Sequence, residues 1–139
     1  MKGLIIYNSK KGHTKQYGEQ IAEYLKEEKN ISAKVVSVDD FKKNDLNEAD
    51  IVFLGSWTNG LFLLFQHPDK KWVKFVSDLP EFKDKKVGLF TTYNIATGSM
   101  FKSMEKKLRG KISEVLIELK SKSCILSEEE KKRIEFILS

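Results

Sequence analysis

Cysteine, proline and long apolar runs are all scarce in this sequence. The single cysteine, Cys124, allows no internal disulfide, which suits a reducing compartment and makes a cytoplasmic location the expectation. A lone cysteine in such a chain is expected to behave as a small buried hydrophobe. No apolar stretch approaches the roughly 18 residues that a membrane-spanning helix needs, so membrane insertion is not expected. The N-terminal apolar stretch, Leu4 to Tyr7, is too short for a secretory signal, and the sequon at Asn30 therefore carries no secretory meaning. Charge of one sign is only mildly in excess, at +5 from 25 basic and 20 acidic residues. It is scattered in mixed runs such as KEEK and EEEKKR, which mark solvated helix faces. No basic stripe interleaved with aromatics appears, so nucleic-acid binding is not expected. The patterns GxxxxGK[ST], GxGxxG and GxSxG are missing, as is metal-ligand spacing around His13 or His67. These absences speak against a Walker-type nucleotide loop, a dinucleotide fingerprint, a hydrolase nucleophile and a metal site. No repeat, low-complexity tract or linker divides residues 1–139, and that length suits one domain.

What is present is alternation. GLIIYNS reads as a buried strand, and Thr14 to Glu28 as a helix with Tyr17, Gly18, Ile21, Ala22 and Leu25 on one face. AKVVSV (Ala33–Val38) is a second strand, and DDFKKNDLNEA a connection holding about one helical turn. DIVFLGSW (Asp50–Trp57) is a third strand, followed by a long loop Ser56–Lys70. Lys70 to Leu79 is a helix, ended at Pro80. Lys85–Thr92 is a strand, Phe101, Met104 and Leu108 mark a helix closed by Gly110, and Ser113–Lys120 is the last strand. Ser127 and Glu130 have capping-box spacing and open a final helix. Apolar strands separated by helices predict an α/β, doubly wound, five-stranded parallel sheet with helices on both faces. Ligands of such sheets sit beyond the carboxyl ends of the strands, where strand order reverses. That rule selects the loops Asn8–Thr14, Ser56–Lys70 and Thr92–Met100.

The first of these loops feeds a helix N-terminus, where backbone N–H groups lack helical partners and the dipole adds partial positive charge. Such a terminus is an anion site. Ser9 and Thr14 add hydroxyls, His13 a ring N–H, Lys10 and Lys11 charge, and Gly12 lets the backbone curl close to a phosphate. The plainer reading is a strand-to-helix turn with Thr14 as N-cap.

In SKKGHT the sequence resembles the flavodoxins, whose first loop has the form Ser/Thr-x-Thr-Gly-Asn-Thr. Ser9, Gly12 and Thr14 match, His13 stands at the asparagine position, and Lys11 replaces a threonine. The resemblance extends over the whole chain through length, element order and the three loops, and implies strand order 2-1-3-4-5. It implies flavin mononucleotide (FMN) as cofactor, its phosphate held by Ser9, Lys10, Lys11, Gly12, His13 and Thr14. In GSWTNG, which is similar to the family's Gly-x-Ser/Thr-x-x-Gly, Ser56, Trp57, Thr58, Asn59 and Gly60 fall beside the isoalloxazine ring. There the resemblance implies a peptide flip on flavin reduction, which Gly60 permits. Trp57 is otherwise a core or interface residue, and Asn59-Gly60 a plain turn. Thr91, Thr92, Tyr93, Asn94 and Gly98 complete the ring-contacting set by the same resemblance; Tyr93 alternatively packs on its loop with its hydroxyl wet. The apolar run Leu61–Phe65 is read first as packing, with a lid over the flavin or a partner patch as alternatives.

The function so implied is electron transfer by bound FMN to a redox partner protein, with an acidic partner suited to the basic charge. The cofactor performs the chemistry, so no catalytic residue is assigned. A monomer or weak dimer is expected. The alternatives are an FMN-dependent reductase or oxidase acting on a quinone, a porphyrin precursor or NAD(P)H, and a flavodoxin-like binding module without FMN. Lysines beside the cofactor stabilise added negative charge. The potential of the fully reduced, anionic flavin is therefore expected to be less negative than in acidic relatives. Potentiometric titration of the FMN complex checks this, and a couple as low as theirs rejects it.

Overall fold

The computed structural model describes residues 1–61 and 64–139, and for residues 60, 61, 64 and 65 the backbone alone. The elements are β1 (Lys2–Asn8), α1 (His13–Lys29), β2 (Ser32–Ser37), α2 (Lys43–Glu48), β3 (Ile51–Leu61), β4 (Leu64–Pro68), α3 (Lys70–Asp78), β5 (Lys86–Thr92), α4 (Met100–Leu108), β6 (Ile117–Ser121) and α5 (Glu128–Leu138). The main sheet runs β2-β1-β3-β5-β6, every pair parallel. With β4 set aside, this is the order 2-1-3-4-5.

Each central strand is buried on both faces, and its residues alternate between two cores as strand geometry requires. Leu4 and Ile6 of β1, Val52 and Leu54 of β3, and Val87 and Leu89 of β5 face one core, against Leu46 of α2, Trp72 and Val76 of α3, and Met100, Met104 and Leu108 of α4. Ile5, Phe53 and Phe90 face the other, against Tyr17, Ile21 and Leu25 of α1 and Ile134 and Ile137 of α5. Helix α1 thus buries the face its spacing predicts. It ends where Asn30 turns left-handed (φ 54°) and returns its N–H to the Leu25 carbonyl. Cys124 is buried, and burial raises its thiol pKa.

Three expectations need correction. The long loop Ser56–Lys70 is mostly strand: β3 runs on past the parallel sheet and pairs with β4 antiparallel, Thr58 opposite Pro68 and Asn59 opposite His67. Asn59-Gly60 therefore lies within a strand and is not the turn. The run Leu61–Phe65, with its readings as packing, lid or partner patch, falls outside the side chains described. The last strand begins at Ile117, not Ser113, because Ile112 and Val115 are spent packing on the core beneath α4. The capping box of α5 is half formed. The Glu130 amide donates to Ser127 Oγ at 3.2 Å, but the Glu130 carboxyl is buried, with its Oε2 lacking a hydrogen-bond partner among the described residues. Burial raises its pKa above the usual carboxylate value.

One contact fixes α1 on the sheet. Gly55 of β3 lies in register with Phe90 of β5, and the Phe90 ring lies across it. A Cβ on Gly55 would stand 2.2 Å from that ring. Tyr17 meets the same ring edge-on, centroids 6.0 Å apart, and Gly18 brings the α1 backbone close to Ile5 and Phe90. Gly55→Ala should cost about 1–3 kcal/mol of stability by overpacking. In a Phe90→Leu background the same substitution should cost markedly less. Urea unfolding of the four proteins measures both steps; equal costs in the two backgrounds would contradict the contact.

Candidate functional site

The carboxyl ends of β1, β3 and β5 frame a pocket of about 290 Å³, near the lower end of the range for ligand sites. Its lining brings together most of the residues singled out from sequence: Ser9, Lys10, Lys11, His13 and Thr14 from the first loop, Trp57, Thr58 and Asn59 from β3, and Thr92, Tyr93 and Asn94 after β5.

The first loop is built around Gly12, the N-cap of α1, with φ of 90°. That left-handed backbone suits glycine and costs a residue with Cβ about 1–2 kcal/mol. The Gly12 amide donates to Ser9 Oγ at 3.0 Å, closing the turn. Gly12, not Thr14, is therefore the cap, and Ser9 closes the loop on itself. Among the described residues, no protein acceptor meets the amides of Lys10, Lys11, His13, Thr14 or Lys15. These donors lie at and just before the N-terminus of a 17-residue helix, where its dipole adds partial positive charge.

The pocket floor is a row of hydroxyls. Thr14 Oγ1 and Thr92 Oγ1 lie 2.7 Å apart and both residues are buried. Their hydrogen bond uses one of the two protons, so one hydroxyl keeps a proton for another acceptor. Thr91 Oγ1 donates to the Ser56 carbonyl at 2.6 Å. Its proton is thereby committed, so the 2.8 Å contact between Thr58 and Thr91 is a donation from Thr58. Thr58 then offers the pocket only acceptor lone pairs. Below this row Ser56 Oγ accepts from the Asp69 amide at 3.4 Å, and Asp69 accepts from Asn8 Nδ2 at 2.9 Å. The end of β1 is thus tied to the start of α3.

Two aromatic residues, both half-buried, stand in the wall, each with a lysine over its ring. Lys10 Nζ is 4.9 Å from the Trp57 centroid and Lys122 Nζ 5.9 Å from that of Tyr93. Beneath them the Tyr17 hydroxyl is buried without a partner among the described residues, and burial raises its pKa far above the ordinary phenol range.

Not every expected residue lines the pocket. Ser56 and Thr91 are fully buried below it, and Gly12 shapes the loop behind it. Gly60 lies in β3, with its backbone alone described. Gly98 lies elsewhere: it is left-handed (φ 47°), and a Cβ there would collide with Gln66 Oε1 at 2.3 Å. It serves the packing of the α4 entrance against β4. Lys122, after β6, was not anticipated, because the strand-reversal rule points to central loops and β6 is an edge strand. A cation directly following an apolar strand was its only signal. No cluster of metal-ligating side chains occurs among the described residues, and no helix there is long and apolar enough to cross a membrane.

A parallel sheet ordered in this way, with helices on both faces and acceptor-free amides at the start of α1 where strand order reverses, defines a doubly wound α/β domain. The comparisons narrow the class. The flavodoxin domain family matches residues 4–131, and the chain belongs to that family. Among solved structures it is similar to the two-electron-reduced flavodoxin of Megasphaera elsdenii, at 23% identity and a TM-score of 0.81 over 97% of this chain and 96% of that one. Oxidised flavodoxin 1 of Bacillus cereus gives 20% identity and a TM-score of 0.71 over 99% and 95%. Rubredoxin oxygen:oxidoreductase of Desulfovibrio gigas matches at 14% identity and 0.66, over 98% of this chain but 34% of that one. No curated protein sequence matches.

The hydroxyl floor generates a test. Thr14→Val leaves Thr92 Oγ1 buried without its partner, and should cost about 1–3 kcal/mol. Adding Thr92→Val should cost little more, since both partners are then apolar. Denaturant unfolding of the cycle reads the coupling; strictly additive losses would show that the hydroxyls do not pair.

Proposed function

We propose that the protein is an electron carrier that binds FMN in this pocket and exchanges electrons with a redox partner protein. The observation that carries the reading is the convergence of an acceptor-free helix N-terminus, a hydroxyl floor and two aromatic walls on one pocket, in a chain of the flavodoxin family.

The donor set fits the ligand. A phosphate dianion suits the acceptor-free amides of Lys10, Lys11, His13, Thr14 and Lys15 and the Lys10 and Lys11 ammoniums. A flat apolar ring suits Trp57 and Tyr93. Its polar edge suits Asn59, Asn94 and the Thr92 backbone, with the Thr58 hydroxyl as acceptor. When bound, the flavin supplies the redox chemistry, taking up electrons from one partner and passing them to another. The protein binds, orients and shields it, and its lysines set the electrostatic environment in which negative charge is added.

The purified protein mixed with FMN should quench flavin fluorescence and turn yellow. The dephosphorylated analogue riboflavin should bind at least about tenfold more weakly, because the terminal anion is the group the loop receives. Lys10→Gln with Lys11→Gln should weaken FMN several-fold and leave riboflavin unchanged. Equal affinity for FMN and riboflavin, or none for either, would refute the reading.

A further inference from the structure

We infer that the pocket rim is the docking face for an acidic redox protein. This rests on the carrier reading above and names the partner's chemistry.

Charge is unevenly distributed over the molecule. The loops after β1, β5 and β6 read SKKG, YNIATGS and KSCILS and contain no Asp or Glu; Glu128, Glu129 and Glu130 open α5 directly after the last of them, with Glu128 paired to Lys131 and Glu129 to Arg133. At the end of the β3–β4 hairpin stands Asp69, held by Asn8 Nδ2 at 2.9 Å. The loop after β2 carries Asp39 and Asp40 at the sheet edge, and Asp39 is paired with Lys71. Lys10, Lys11 and Lys122 are left on the rim, all exposed, with no carboxylate in ion-pair reach among the described residues. Lys10 and Lys122 rest on aromatic faces, which holds their charges at the rim.

Apolar surface accompanies them. Ile95 is 53% exposed on the loop after β5, and Ile125 is 60% exposed on the loop after β6. Neither lines the pocket. A small anionic substrate entering the pocket has no use for isoleucines outside it. A protein does, because specific interfaces join apolar contacts to a charged rim. With the Lys10 and Lys11 ammoniums turned to a bound phosphate, Lys122 is the rim cation that favours a carboxylate opposite, and complementary charge raises the encounter rate. The match is therefore an acidic protein that presents its redox centre within a ring of Asp and Glu.

The test needs no knowledge of the natural partner. A plant-type ferredoxin serves as the acidic probe and cytochrome c as the basic one. Each is titrated into ¹⁵N-labelled protein at about 20 mM salt, where screening is weak. Ferredoxin should shift or broaden the amides of Lys10, Lys11, Ile95, Lys122 and Ile125, and the effect should vanish by about 300 mM salt. Cytochrome c should leave them unmoved. Lys122→Glu should weaken the response several-fold; if that variant does not fold, Ile125→Ser should weaken it with the charge intact. No selective response, or a response to cytochrome c in its place, overturns the inference. FMN titration of the same samples separates the two claims. Flavin bound without docking rejects the acidic partner alone; docking without flavin upholds the face and rejects the carrier.

Discussion

A hydrogen bond between two buried hydroxyls, Thr14 with Thr92, joins the first turn of α1 to the end of β5 across 78 residues of sequence. It sets the distance between the loop of Ser9 to Gly12 and the loop that carries Tyr93. Because Thr14 is in the first turn of α1, tying it to β5 also aims the helix dipole. The Phe90 ring, lying on Gly55 and meeting Tyr17, holds the next turn of the same helix. Two contacts on one face of α1 thus fix its axis, and the acceptor-free amides of Lys10, Lys11, His13, Thr14 and Lys15 sit at its N-terminal end. Pre-aimed donors lose little freedom when an anion arrives, which is where rigid sites gain affinity.

The architecture was legible because its strands are nearly all apolar and its helices carry apolar stripes. LIIY, IVFL and VGLF leave no polar face, so a sheet covered on both sides follows. The first loop was legible from Ser9, Gly12 and Thr14, although their roles shifted. Gly12 caps the helix, Ser9 closes the turn, and Thr14 faces Thr92. Position in the sequence implied donors to a ligand; the fold spends part of that capacity on itself.

What was not legible depends on long-range pairing. Nothing in the residues around Thr58 and His67 announces an antiparallel pair, because the flanking residues lack the alternation that marks a half-buried strand. The start of β6 was misplaced because Ile112 and Val115 are apolar for packing, not for pairing. Gly98 follows a strand and resembles a ligand loop, but its left-handed turn answers to Gln66. Lys122 joins the site only because β6 lies beside β5, a neighbour relation that no local pattern encodes.

Charge and shape together define what the pocket receives. In the proposed reading the acceptor-free amides and lysines of the first loop supply attraction, and the two aromatic walls and hydroxyl floor supply form. The most direct test is a crystal structure of the protein with FMN. The account predicts the phosphate within hydrogen-bond distance of the amides between Lys10 and Lys15, and the ring beside Trp57 and Tyr93. A phosphate bound away from that loop, or flavin excluded from the pocket at saturating concentration, would contradict it.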